Sequence, residues 1–156
     1  MLFSKKDIDL ARQVAKKSPC VRRQYGVIVT DGVHTVTAFN ARVSTCCDSG
    51  CVRDRAGIMH GQSTDMGAEI HAEQAASLIW GRFPGSPHAQ ILIQGFKRNS
   101  AIPMCDEDLY PCHACAMTLK FNGFRAICLT SKAGEIYAKP LSEILEYWEQ
   151  QWGPVD

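Results

Sequence analysis

Apolar residues recur at roughly helical spacing near the N-terminus, where Ile8, Leu10, Ala11, Val14 and Ala15 are interleaved with charged positions. Ser4 followed by Asp7 resembles a capping box for this helix, and Pro19 ends the pattern. Residues 25–30 form a β-branched run, Asp31-Gly32 is the strongest hairpin-turn signal in the chain, and 33–39 reads as the returning strand. From 40 to 68 the periodicity fades and polar, Gly and Cys residues dominate. Such a stretch is too long for an ordinary connection in a compact domain. It predicts a functional or metal-organised loop with room for a short helix.

Helical spacing returns at 70–80, with Ala72, Ala75, Ala76 and Ile79 on one side and Gly81 after them. Residues 89–94 read as a short apolar strand ended by Gly95, and 99–111 as a second loop. The Ala-, Met- and Leu-rich stretch 112–121 predicts a helix closed by Asn122-Gly123, and 125–129 a strand. Residues 131–140 read as a turn region, with a further short strand near Ile136 and Tyr137, and 141–148 as the last helix. The order α-β-β-α-β-α-β-α predicts an α/β fold, a mixed sheet with helices on both faces.

At 156 residues the chain is the length of one domain, expected to span 1–156. With 46% hydrophobic and 21% charged residues, the composition argues against disorder or a fibrous repeat. No apolar run approaches the roughly 20 residues needed to span a bilayer. Lys5 and Lys6 sit beside Asp7 and Asp9 with no apolar core following, unlike a signal peptide. A cytoplasmic protein without membrane contact is expected. The net charge of +1 gives no support for nucleic-acid binding. The basic N-terminal stretch and the acidic tail read as solvated helix faces.

Eight cysteines change this picture. In a reducing compartment, cysteines at short spacings with a histidine nearby suggest metal rather than disulfides. Cys46, Cys47 and Cys51 fall in the long loop, and Cys112 and Cys115 open a predicted helix. Cys128, inside Ala-Ile-Cys-Leu, reads as a small buried hydrophobe, and Cys105 as an unliganded loop thiol.

His71-Ala72-Glu73 and Pro111-Cys112-His113-Ala114-Cys115 carry the chemistry. Two thiolates three residues apart in one helical turn can hold one Zn²⁺ at about 2.3 Å, with His71 as the third ligand. Three protein ligands leave the fourth tetrahedral position for water, as in a catalytic site. Both segments open helices, where free N–H groups and the helix dipole favour thiolate and developing negative charge. Glu73, about 200° around the axis from His71, is poorly placed as a ligand but can reach a water activated by the metal. Zinc lowers the pKa of such a water towards about 7, and a carboxylate can take its proton and pass it to a ring nitrogen and a departing amine. The two segments, in this order, match the zinc nucleobase-deaminase signature. No His-Glu-x-x-His is present to suggest a metalloprotease.

On these residues the chain resembles the cytidine deaminase superfamily, and within it most the deoxycytidylate (dCMP) deaminases of bacteria and phages. The resemblance runs from about Pro19 to Leu129. It includes Cys20 to Val29, Phe39-Asn40, Gly50-Cys51-Val52-Arg53-Asp54-Arg55, His71-Ala72-Glu73-Gln74 and the Pro-Cys-x-x-Cys segment. It implies a three-layer α/β/α fold with a five-stranded mixed sheet, a catalytic zinc, a nucleotide substrate and a homo-oligomer, often a hexamer.

By the same resemblance Asn40 holds substrate near its sugar, and the backbone of Ala72 contacts the pyrimidine. Arg22, Arg23, Arg53 and Arg55 become candidates for the phosphate, with Arg22 or Arg23 favoured to reach the site. A guanidinium suits that task because its rigid fork makes two parallel bonds. Tyr110 and Tyr137 are candidates for stacking on the base. Trp80, Trp148 and Trp152 read as core or subunit contacts, and His113 as a packing or surface residue.

The family asparagine two positions beyond the glutamate is Ala75 here, and the glycine after Asn40 is Ala41. A modified cytosine nucleotide is therefore a reasonable variant substrate. Some phage relatives carry a structural zinc near the long loop. Cys20, Cys46, Cys47 and Cys51, with His60 as an alternative ligand, form a candidate second site, against a reading as free thiols. Allosteric control by deoxynucleoside triphosphates occurs in related enzymes, and no residue here marks it. Other functions consistent with the motifs are deamination of another base (adenosine in transfer RNA, guanine, free cytidine) and a noncatalytic zinc or nucleotide-binding protein.

Overall fold

The computed structural model describes residues 2–20, 22–42, 69–81 and 89–152. In chain order these form α1 (Lys5–Ala15), β1 (Arg23–Thr30), β2 (Thr35–Phe39), β3 (Ala41–Arg42), β4 (Glu69–Ile70), α2 (Ala72–Trp80) and β5 (Gln90–Lys97). A 3-10 turn (Asp106–Leu109) follows, then α3 (His113–Phe121), β6 (Ala126–Thr130), β7 (Ile136–Pro140) and α4 (Leu141–Gln150). No helix among the described residues is long and apolar enough to cross a membrane.

Five strands make one mixed sheet in the order β2-β1-β5-β6-β7. β5 and β6 run parallel, joined through α3, and the other neighbouring pairs are antiparallel. The β1–β2 hairpin forms where Asp31-Gly32 predicts it. Asp31 Oδ1 accepts the amides of Val33 and His34 at 2.9 and 2.7 Å, and Gly32 takes φ 93°, a conformation that suits glycine.

Side chains of the central strands alternate between two cores, as the pleat requires. Val27, Val29, Ile91, Ile93, Ile127 and Leu129 face α2, α3 and α4, meeting Ala72, Ala76, Ala116, Leu119, Leu141 and Ile144. Ile28, Leu92 and Cys128 point to the other face, where Phe3, Ile8 and Ala11 cover them. Helices thus cover both faces, and Cys128 is the small buried hydrophobe that its setting in the sequence predicts.

Two expected boundaries shift. The strand expected to end at Gly95 continues to Lys97, because Gly95 pairs with Tyr25 in the ladder and Met104 bonds its carbonyl at 2.8 Å. The expected turn region before the last helix contains a full strand, β7, paired with β6 from Thr130↔Ile136 to Ala126↔Pro140. Only Ser131 to Glu135 turn, closed by Gly134 N–H to the Ser131 carbonyl at 2.8 Å.

The topology gathers the chemistry at one end of the sheet. β3 and β4 pair as Ala41↔Ile70, so the chain leaving β2 at Asn40 lies beside the chain entering α2 at His71. β1 begins at Arg23 opposite Lys97, the end of β5, from which the loop leads to Cys112.

Candidate metal centre and active site

His71 and Cys112 occupy the N-cap positions of α2 and α3, and Cys115 lies in the first turn of α3. The helix starts predicted from sequence are therefore present, and they bring three side-chain donor atoms to one point. The Nδ1 atom of His71 lies 3.3 Å from Cys115 Sγ and 3.6 Å from Cys112 Sγ. Bond lengths of about 2.3 Å to sulfur and 2.0–2.1 Å to nitrogen give a tetrahedral N–S edge of about 3.6 Å, so the donor set fits a zinc ion. All three donor atoms lie within 4.8 Å of one another, the one such group among the described residues.

Gln74 Oε1 accepts the backbone N–H of His71 at 3.1 Å and holds the entry to α2. A hydrogen bond from Cys115 pulls the Cys112 thiol down to about 4 against the effect of its burial, with His71 also lowering it. Cys115, which gives that bond, is pushed up, and burial adds to the rise. Both sulfurs would coordinate a divalent cation as thiolates.

Glu73 is only 5% exposed and lies in the first turn of α2. Burial pushes its carboxyl above the usual range, while His71 and a hydrogen bond with Cys115 pull the other way. A buried carboxyl thus stands against the three donor side chains.

The other residues singled out from sequence divide. Asn40 is 4% exposed, and its amide spans the start of β1: Oδ1 accepts Tyr25 N–H and Nδ2 donates to the Arg23 carbonyl, both at 2.8 Å. It therefore secures the strand beside the site, keeping one further N–H and one lone pair. Ala72 is fully buried at the start of α2. Arg23 reaches the loop before the cysteines, with Nη1 3.4 Å from Tyr25 Oη and 3.7 Å from Met104 Sδ. Arg22 is half-buried, and its N–H lies 3.4 Å from the sulfur of buried Cys20. Tyr110 is buried edge-on against Tyr147, with ring centroids 5.1 Å apart. Tyr137 donates to Asp106 Oδ1 at 2.8 Å. Arg53, Arg55, Cys46, Cys47, Cys51 and His60 lie outside the described residues.

Sequence reading missed two supports of the site. Tyr25 donates to the Asp108 carbonyl at 3.3 Å, fixing the 3-10 turn that precedes Tyr110. Trp148 donates to the Pro111 carbonyl at 2.8 Å, directly before Cys112. Neither belongs to a metal-binding spacing, and an aromatic residue in an apolar stretch reads first as core.

No family model and no curated protein matches the chain. Among solved structures it is similar to a cytidine deaminase from Burkholderia pseudomallei, at 15% identity and a TM-score of 0.57, over 91% of this chain and 96% of that one. The fold is therefore cytidine-deaminase-like.

Proposed function

We propose that the chain is a zinc-dependent hydrolase that deaminates the base of a cytosine nucleotide, dCMP or a close modified relative. The uracil nucleotide and ammonia are the products. One observation carries this reading: His71, Cys112 and Cys115 converge with the buried carboxyl of Glu73 beside them. A structural zinc alone has no use for that carboxyl.

Zinc held by His71, Cys112 and Cys115 would supply Lewis acidity and a coordination position for water. Glu73 takes a proton from the attacking water and delivers it to the ring nitrogen beside the reacting carbon. It then takes the second proton, from the hydroxyl now on that carbon, and gives it to the exocyclic amine as the C–N bond breaks and the carbonyl forms. Its raised pKa suits both halves of that exchange. Ala72 offers backbone to the pyrimidine, and the remaining N–H of Asn40 is available to the sugar. Arg23, at the same end of the sheet, supports a phosphate-bearing substrate, with Arg22, Arg53 and Arg55 as further candidates.

The test is ammonia release from cytidine, deoxycytidine, CMP, dCMP, dCTP, 5-substituted dCMP and a transfer-RNA anticodon stem. A preference for the monophosphate of about tenfold or more, roughly 1.4 kcal/mol, supports the phosphate assignment. Equal rates on nucleoside and nucleotide defeat it. They would favour the second reading, a nucleoside deaminase, to which the likeness to a cytidine deaminase and the engagement of Arg23 by Tyr25 and Met104 already lend weight.

A homo-oligomer, hexameric by the resemblance, belongs to the same proposal. Phe121, 92% exposed, and Met117 on the same helix support it, and light scattering measures it. A second zinc on Cys20, Cys46, Cys47, Cys51 or His60 is tested by metal analysis of the wild type beside Cys51→Ser. An unchanged zinc count excludes Cys51 as a necessary ligand.

A further inference from the structure

Three consecutive residues near the end of α4 touch three of the four residues around Cys112. The Tyr147 ring meets Tyr110 edge-on with centroids 5.1 Å apart, Trp148 Nε1 donates to the Pro111 carbonyl at 2.8 Å, and Glu149 Oε1 lies 3.2 Å from His113 Nε2. Trp152 adds its ring to His113, centroids 4.6 Å apart. Cys112 itself is bracketed on both sides by side chains held from the C-terminal helix.

Among the described residues the backbone of this turn has few other anchors. Tyr110 gives its N–H to Glu107 at 3.1 Å, and the Cys112 carbonyl accepts Ala116 N–H at 2.9 Å inside α3. Pro111 has no N–H, so its carbonyl is its one backbone hydrogen-bonding group, and Trp148 takes it. That bond fixes the peptide plane between Pro111 and Cys112, and with it the direction in which the Cys112 side chain leaves the backbone. Nothing in α4 contributes a donor atom to the site itself.

We propose that α4 is a positioning element for the metal centre, with Trp148 setting the orientation of Cys112 through the Pro111 carbonyl. The inference rests on the proposed reading of His71, Cys112 and Cys115 as zinc ligands. Groups that orient ligands from outside the coordination sphere typically govern metal affinity by about 10–100-fold. Trp148 acts here on a cysteine through its neighbouring peptide.

The experiment measures zinc release from the full-length, zinc-loaded protein into excess chromogenic chelator. It compares the wild type, Trp148→Phe and Ile144→Ala. Trp148→Phe keeps a ring and removes the donor; zinc release is expected to accelerate about tenfold or more. Ile144 is fully buried in the same helix. Ile144→Ala is expected to lower the melting temperature at least as much as Trp148→Phe while leaving zinc release within about twofold of wild type. A purely structural role predicts instead that release follows the melting temperature across all three proteins, which would overturn the proposal.

If Trp148→Phe does not fold, replacing Trp148 by benzothienylalanine puts sulfur in place of the N–H, removing the donor while keeping the bicyclic ring. The same acceleration is expected, and wild-type release from that variant would overturn the proposal. A wild-type chain that holds no zinc would sink the deaminase reading itself, whereas equal retention by wild type and variants sinks only the role of Trp148.

Discussion

Cys115 Sγ stands 3.3 Å from His71 Nδ1, on a different helix and 44 residues further along the chain. Such a contact forms only when both helix starts are in place, so binding of the proposed zinc would be coupled to folding of this end of the sheet. Chelation of the zinc-loaded protein should therefore lower the melting temperature. It should also turn Cys112 and Cys115 from slow to fast in their reaction with a thiol reagent. Unchanged thiol reactivity would show that these sulfurs do not hold the metal.

Glu73→Gln should keep the metal and lose turnover by about 10²–10⁴-fold, the usual contribution of a proton-transferring side chain. The neutral amide also removes the cost of a buried carboxylate, so the variant should melt no lower than wild type. Metal analysis, ammonia release and a thermal melt together check this. Turnover near the wild-type rate would remove Glu73 from the chemistry.

The Asp31 carboxyl is held down to about 2, chiefly by the amides of His34 and Val33 in the β1–β2 turn. A lowered pKa means stabilisation that is full above the unfolded value, about 3.9, and is lost as pH falls through about 2. Asp31→Ala should melt below wild type near neutral pH, with the gap closing towards pH 2. A gap that stayed constant with pH would assign the effect to something other than the carboxylate.

Gly26 sits where α1 crosses β1. A Cβ there would clash with the Ala11 carbonyl oxygen and meet the Ala15 nitrogen at 2.5 Å, both backbone atoms that cannot swing aside. Gly26→Ala should destabilise the protein by about 1–3 kcal/mol or more, measured by urea unfolding. Gly123→Ala is a useful contrast. It meets no atom within 4 Å, so its cost comes from a φ of 94° alone.

Much of this was legible in the sequence because the signals were local. The Asp31-Gly32 turn, the apolar alternation of the strands and the two motifs that open α2 and α3 each follow from neighbouring residues. What the sequence could not convey was non-local. Gly95 looks like a stop, and only its pairing with Tyr25 carries the strand onward. Asn40 resembles a substrate contact, and nothing local signals that Oδ1 and one N–H of its amide also bond the backbone of β1. Trp148 read as packing because its partner, a carbonyl 37 residues earlier, has no side-chain signature.

The two cores share the same three central strands, with Val27 and Val29 on one side of β1 and Ile28 between them on the other. Neither helical layer can peel away without laying bare residues in the middle of a strand whose neighbours remain covered. Partial opening is thereby penalised, and the domain should come apart in one concerted step. The end that carries His71, Cys112 and Cys115 inherits the rigidity of the whole sheet rather than of the loops around it.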